Sequence, residues 1–177
     1  MPPASAPAGN ADVARVRRNG DTSGCMRGSG DATAFEAWRA FLEAHASVTA
    51  RLDDELRRER DLPLTWYDVL LSLERAGGRL RMQDLARAVL FSRSGVTRLV
   101  DRMEQARLVA REPCADDRRG TFAVLTAEGR RALRRAAPVH LRGIARHFSD
   151  HLSPQERRLL AAALAKLARA ARDGGRG

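Results

Sequence analysis

Between positions 92 and 119 the chain carries a run of side chains suited to gripping a polyanion. Ser92, Arg93, Ser94, Gly95, Thr97, Arg98 and Arg102 fall in one stretch, SRSGVTRLVDR, and Asp117, Arg118 and Arg119 lie in a second, CADDRRG. Arginine presents a planar fork of donors that fits phosphate oxygens and the edge of guanine. Arg93 and Arg98 are therefore candidates for guanine. Thr97 can meet a thymine methyl or a phosphate, and Ser94 can donate to phosphate, with the division between base and backbone left open. In the second stretch, arginine at a turn tip suits a minor groove, and Asp116 and Asp117 beside it can fix the guanidinium geometry. A solvated hairpin tip has the same composition, but its position directly after the first stretch weakens that alternative.

Such side chains need a rigid support to reach one duplex together. Val96, Leu99, Val100 and Met103 recur at helical spacing and predict a helix from Arg93 to about Ala106, capped by Ser92, with the arginines outward. Before it, MQDLARAVL predicts a short helix with Met82, Leu85, Ala86 and Val89 inward, and FSR turns the chain, so the pair forms a helix-turn-helix. After it, RLVAREP and GTFAVLT alternate like two strands around CADDRRG, whose end is Gly120, and make a wing. Upstream, Phe35, Trp38, Phe41, Leu42, His45, Val48, Leu52 and Leu56 predict a helix over Ala32 to Arg60. DLPLTWYDVLLSLERAGG predicts another that starts at a Thr65 cap, turns Trp66, Val69, Leu70 and Leu73 inward, and stops at Gly77-Gly78, ahead of a short extended RLR. Downstream, a helix follows Thr126, with Pro138 expected to kink or interrupt it. Ser153, Pro154 and Glu156 then open a last helix whose face is Leu159, Leu160, Ala163, Leu164, Leu167 and Ala168. The fold class read from this order is mainly α with a small β-hairpin wing: a winged helix-turn-helix over 62–126, with flanking helices over 32–61 and 127–171.

Composition agrees with a nucleic-acid partner. The 177 residues fit one domain, and 32 Lys plus Arg against 22 Asp plus Glu leave a net charge of +10, nearly all of it arginine, with Lys166 the sole lysine. A GC-rich genome would account for arginine over lysine but not for the excess of base over acid. Residues 1–31 are rich in Pro, Ala, Gly and Ser and read as a disordered basic arm. Met26 is a possible alternative start, which would remove Cys25. Residues 172–177 read as a flexible tail. Cys25 and Cys114 form no CxxC or disulfide framework, and no apolar run reaches the roughly 20 residues of a membrane span. A soluble cytoplasmic protein with no membrane partner is expected. There is no GxSxG, Walker-type loop, HExxH or Gly-rich fingerprint, so no enzyme and no cofactor is expected.

The stretch SRSGVTRLVDRMEQARLVAREPCADDRRGTFAVLTAEGRRAL resembles the recognition helix and wing of the MarR family of winged-helix transcriptional regulators. LTWYDVLLSL and RLRMQDLARAV resemble its second and third helices, so the likeness runs from about Ala34 to Ala171. VTRLVDRMEQARLV and the pattern of Asp117, Arg119 and Leu125-Thr126 carry most of it. Arg107 stands where the family often has glycine. The resemblance implies a homodimer whose first, fifth and sixth helices interlock and seat two winged helices on pseudo-palindromic double-stranded DNA. The apolar faces of the flanking helices, larger than a small winged helix can cover, agree with it.

The resemblance further implies a small-molecule effector, often an aromatic acid or phenol, and a repressor released by it. Trp38, Arg39, His45 and Trp66 lie on the segments that would line its pocket, although the tryptophans equally suit a core. Two other inputs stay open. His147 and His151 have the spacing of a metal pair, with His140 nearby, but no Cys or Glu cluster supports them, so no metal is assigned. Cys114, at the wing base beside Arg111, is a candidate exposed thiol. A constitutive or architectural DNA-binding protein without effector is the rival reading.

Overall fold

The computed structural model describes residues 32–114 and 117–173, and only the backbone of 117–119 and 172–173. The expected arm over 1–31, with Cys25, lies outside the described residues, as does Asp116. Among the described residues six helices and three strands follow one another as α1 (Ala32–Arg60), α2 (Leu64–Arg75), β1 (Arg79–Arg81), α3 (Met82–Ala88), α4 (Arg93–Gln105), β2 (Val109–Cys114), β3 (Asp117–Leu125), α5 (Ala127–His147) and α6 (Pro154–Asp173), with a 3-10 turn at Ser149–His151. Two units divide between residues 40 and 41, within α1. In the first, the helical turns 32–40 are described, all with exposed side chains. The second contains the rest.

The second unit is built on one apolar core. Leu56, Val69, Leu70, Leu73, Leu85, Val96, Val100, Met103, Val109, Ala123, Leu133 and Val139 draw α2 to α5 and the sheet together. The sheet is antiparallel in the order β1-β3-β2, with Leu80 opposite Ala123 and Ala123 opposite Arg111. The short extended segment before α3 is thus a third strand, paired to the wing.

Most helix ends follow local chemistry. Gly77 and Gly78 end α2 at φ of 80° and 93°, backbone that side-chain-bearing residues seldom adopt. Ser153 and Glu156 exchange side-chain to backbone bonds at 3.3 and 2.8 Å, the reciprocal cap expected for α6. Thr126 caps α5 by accepting from the Gly129 N–H at 2.9 Å. Pro138 leaves α5 unbroken from Ala127 to His147, so the expected interruption is absent.

Two expectations change, and a third feature agrees with its expectation. Thr65 does not cap α2; the helix begins at Leu64, whose N–H donates to Asp53 Oδ1 of α1 at 2.7 Å, so a carboxylate eleven residues earlier does that work. Tyr67, not Trp66, is the buried aromatic of α2, because it faces the His140 ring of α5 at 4.3 Å while Trp66 stays half-buried at the core margin. Along α1 within the second unit only Leu52 and Leu56 of the apolar stripe are buried, and Phe41, Leu42 and His45 are exposed. The stripe exceeds what the core of the second unit covers, as expected of the flanking helices.

Candidate nucleic-acid interface

Ser92 accepts the Gly95 N–H at 3.0 Å and starts α4, as expected of a cap. Val96, Leu99, Val100 and Met103 are all buried, which fixes the rotation of the helix and leaves Arg93, Ser94, Thr97, Arg98 and Arg102 exposed. Among the described residues no carboxylate pairs with Arg93, Arg98 or Arg102, so their donors face solvent. Thr97 is exposed, and its Oγ1 donates to the Arg93 carbonyl at 2.9 Å. Gly95 has a steric reason to be glycine. A Cβ there would stand 3.0 Å from Ser92 Oγ and 3.3 Å from Phe91, crowding the cap. All seven expected residues of this helix therefore cluster on or beside one accessible face.

The wing is hinged to that helix through Arg111, which the sequence reading had placed beside Cys114. Its guanidinium instead lies 2.6 Å from Asp101 and 3.0 Å from Glu104, both on α4, and donates to the Thr97 carbonyl at 3.2 Å. The Arg111 N–H also donates to Glu104 at 3.0 Å. Strand β2 is thus bolted to the outer flank of the recognition helix, and Arg111 is committed elsewhere than to a thiolate. Cys114 itself is a free thiol but only 6% exposed, not the exposed cysteine expected. A register shift between Pro113 and Cys114 turns it inward. The wing residues Asp117, Arg118 and Arg119 begin β3 rather than a loop, with Asp117 opposite Cys114; only their backbone is described.

The far end of α4 is tied to the next helix. Thr126 Oγ1 donates to the Arg107 carbonyl at 2.7 Å, with the Leu108 carbonyl at 3.0 Å, while capping α5.

The remaining candidate residues fall in both units. Trp38 and Arg39 are exposed on the first unit. In the second, His45 is exposed with its ring 6.2 Å from Phe41, and Trp66 packs against the core. His147 turns away from His151: its Nε2 is 2.9 Å from Glu55, while His151 is exposed in the 3-10 turn. Glu55, 8% exposed, also accepts from Arg146 at 2.9 Å. The hydrogen bond from His147, more than any other contact, holds its carboxyl below the usual range, against burial that pushes it up. No helix among the described residues is long and apolar enough to cross a membrane.

Comparison with known proteins bears on this geometry. Residues 60–120 match the model of the MarR family. The crystal structure of AbsC, a MarR family transcriptional regulator from Streptomyces coelicolor, is similar at 40% identity, covering 84% of this chain and 99% of that one, with a TM-score of 0.75. Sco3205, a MarR family regulator of the same organism solved in complex with DNA, is 34% identical over 78% of this chain and 88% of its own, with a TM-score of 0.73. The transcriptional regulator HosA of Escherichia coli O127:H6 is 32% identical over 71% of this chain and 87% of its own.

Proposed function

Since this chain belongs to the MarR family and is a transcriptional regulator rather than an enzyme, we propose that it works as a homodimeric repressor that leaves a pseudo-palindromic operator when a small aromatic or phenolic ligand binds. The observation that carries the DNA-reading part is the exposed face of α4, where Arg93, Ser94, Thr97, Arg98 and Arg102 stand together on a helix held by its cap and by Arg111. Sco3205, solved with DNA, supports the same partner. Arg98 and Arg93 read base edges, and Arg118 and Arg119 reach the minor groove with Asp117 orienting them.

The dimer is supported by apolar surface that a single chain leaves in water. Leu159 and Leu167 of α6 are 63% and 65% exposed, and Phe35, Leu42 and Leu141 are exposed as well. Exposed leucines at repeated helical positions mark a face made to be covered. Two such chains place their recognition helices about one helical turn apart on DNA. The effector is supported by regulators of the same fold: DNA binding by BpsR of Bordetella bronchiseptica is regulated by 6-hydroxynicotinic acid, and RdhR is known in a form bound to 2,4-dichlorophenol.

The test is selection of genomic fragments by the purified protein, footprinting of the best fragment, and a screen of aromatic acids and phenols for release. Protection of two half-sites with release by one compound is the expected result. Uniform enrichment of all fragments would replace this reading with a constitutive DNA-binding protein.

A further inference from the structure

At the end of α1 a cleft of about 520 Å³ opens against α5, lined by Arg57, Arg58, Glu59, Arg60 and Asp61 on one side and Arg135 on the other. The sequence does not single these residues out, because Arg60 and Arg135 stand 75 positions apart. Arg60 joins the two sides: its Nε donates to the Arg135 carbonyl at 2.9 Å. No residue of α4 lines the cleft, and neither do His45 and Trp66, the effector candidates of this unit.

The charges within it do not balance. Arg57 is taken by Asp53 at 2.6 Å, and Glu59 by Arg142 at 3.1 Å. That leaves Arg58, Arg60 and Arg135 against the single carboxylate of Asp61, an excess of two positive charges. Among the described residues no carboxylate pairs with the exposed side chain of Arg58 or of Arg135. A helix end ordinarily repels an anion, since its last carbonyls carry partial negative charge. Here two of them are occupied. The Arg57 carbonyl accepts the Asp61 N–H at 2.9 Å, where the chain turns back with φ of 50°, and the Glu59 carbonyl accepts Arg60 Nη1 at 2.7 Å. Arg60 is thereby fixed by one carbonyl from each helix while most of its donors stay open.

We propose that this cleft binds a small organic dianion, a phosphate monoester or a dicarboxylate, held between Arg58 and Arg135 with Arg60 as a third, already positioned donor. The guanidinium fork pairs with either group through parallel N–H···O bonds, so the shared chemistry is two negative charges carried on oxygen. The volume falls in the range of small-molecule sites. This site does not depend on the DNA-reading face and takes a ligand chemically unlike an aromatic effector.

The experiment is isothermal titration calorimetry of the full chain in chloride buffer at fixed ionic strength, with glycerol 3-phosphate, succinate and acetate as probes. A dianion should bind about tenfold or more tightly than acetate, and the better of the two dianions names the group the site prefers. Arg58→Ala and Arg135→Ala should each weaken that binding about tenfold. Neither side chain holds another part of the fold, so without probe both variants should melt with the wild type. Arg134→Ala removes an exposed arginine of α5 outside the cleft and should bind as the wild type does. Dianion binding that survives both cleft substitutions would put the anion on another basic face, and an equal loss with Arg134→Ala would reduce the effect to general surface charge. Either result overturns the assignment, as does binding of acetate as tight as that of the dianions.

Discussion

Replacing Arg107 with glycine should stabilise the protein. Arg107 follows α4 with φ of 60°, in the left-handed region where a side chain crowds the backbone. The position is required by the way the helix ends: the Arg107 N–H donates to the Glu104 carbonyl at 2.9 Å and the Leu108 N–H reaches back to Met103 at 2.9 Å. A non-glycine residue held there costs roughly 1–2 kcal/mol. Glycine loses about 0.4–1 kcal/mol of that gain through the larger freedom of its unfolded chain. The difference is about 1 kcal/mol in favour of glycine, which in a chain of this length raises Tm by about 2–4 °C. The assay is thermal unfolding followed by circular dichroism for wild type, Arg107→Gly and Arg107→Ala, all at one protein concentration because the proposed dimerisation would make Tm depend on it. Arg107 is exposed, so Arg107→Ala removes the charge but keeps the left-handed backbone and should melt with the wild type. Glycine and alanine variants that melt together, or a glycine variant that melts lower, would refute the reasoning.

Asp68 offers a pH test. Burial pushes its carboxyl up to about 6, so the folded state holds a proton that the unfolded state releases near pH 4, and stability falls as pH rises between those values. Two pH units correspond to at most about 3 kcal/mol, reduced to about 1–2 by the partial exposure of the group. Asp68→Asn should therefore be the more stable protein in denaturant titration at pH 8 and should lose that advantage at pH 4; equal advantage at both values would show that burial is not the cause. Glu55 behaves in the opposite sense. Its lowered pKa contributes stability that is present above the ordinary carboxylate range and lost as pH falls through the folded value, so His147→Ala should move acid unfolding to higher pH and cost about 1–3 kcal/mol at pH 7. An acid transition that does not move would remove His147 from that role. Leu159→Glu with Leu167→Glu should yield monomers by sedimentation and weaken binding to the selected duplex on the order of 100-fold, whereas a dimer that survives both changes would place the interface elsewhere.

What the chain declares by itself is whatever depends on neighbours a few residues away. The four-residue apolar set of α4 and its Ser92 cap, the Gly77-Gly78 stop and the reciprocal cap of Ser153 with Glu156 were legible because helical periodicity and capping bonds close within one or two turns. The outward arginines of α4 followed, since fixing the buried face fixes its opposite. Arg107 was legible as a departure from pattern, and the structure supplies the reason a glycine belongs there. Other features required elements distant in the chain to meet. Asp53 replaced Thr65 at the start of α2 because α1 passes beside it, and Tyr67 displaced Trp66 from the core because His140 of α5 lies across it. Arg111 chose Asp101 and Glu104 over Cys114, and His147 chose Glu55 over His151, in each case because packing put a carboxylate within 3 Å. Sequence spacing determines which face of a helix is apolar; which charged groups find each other depends on how those faces pack, and that is decided by the tertiary fold.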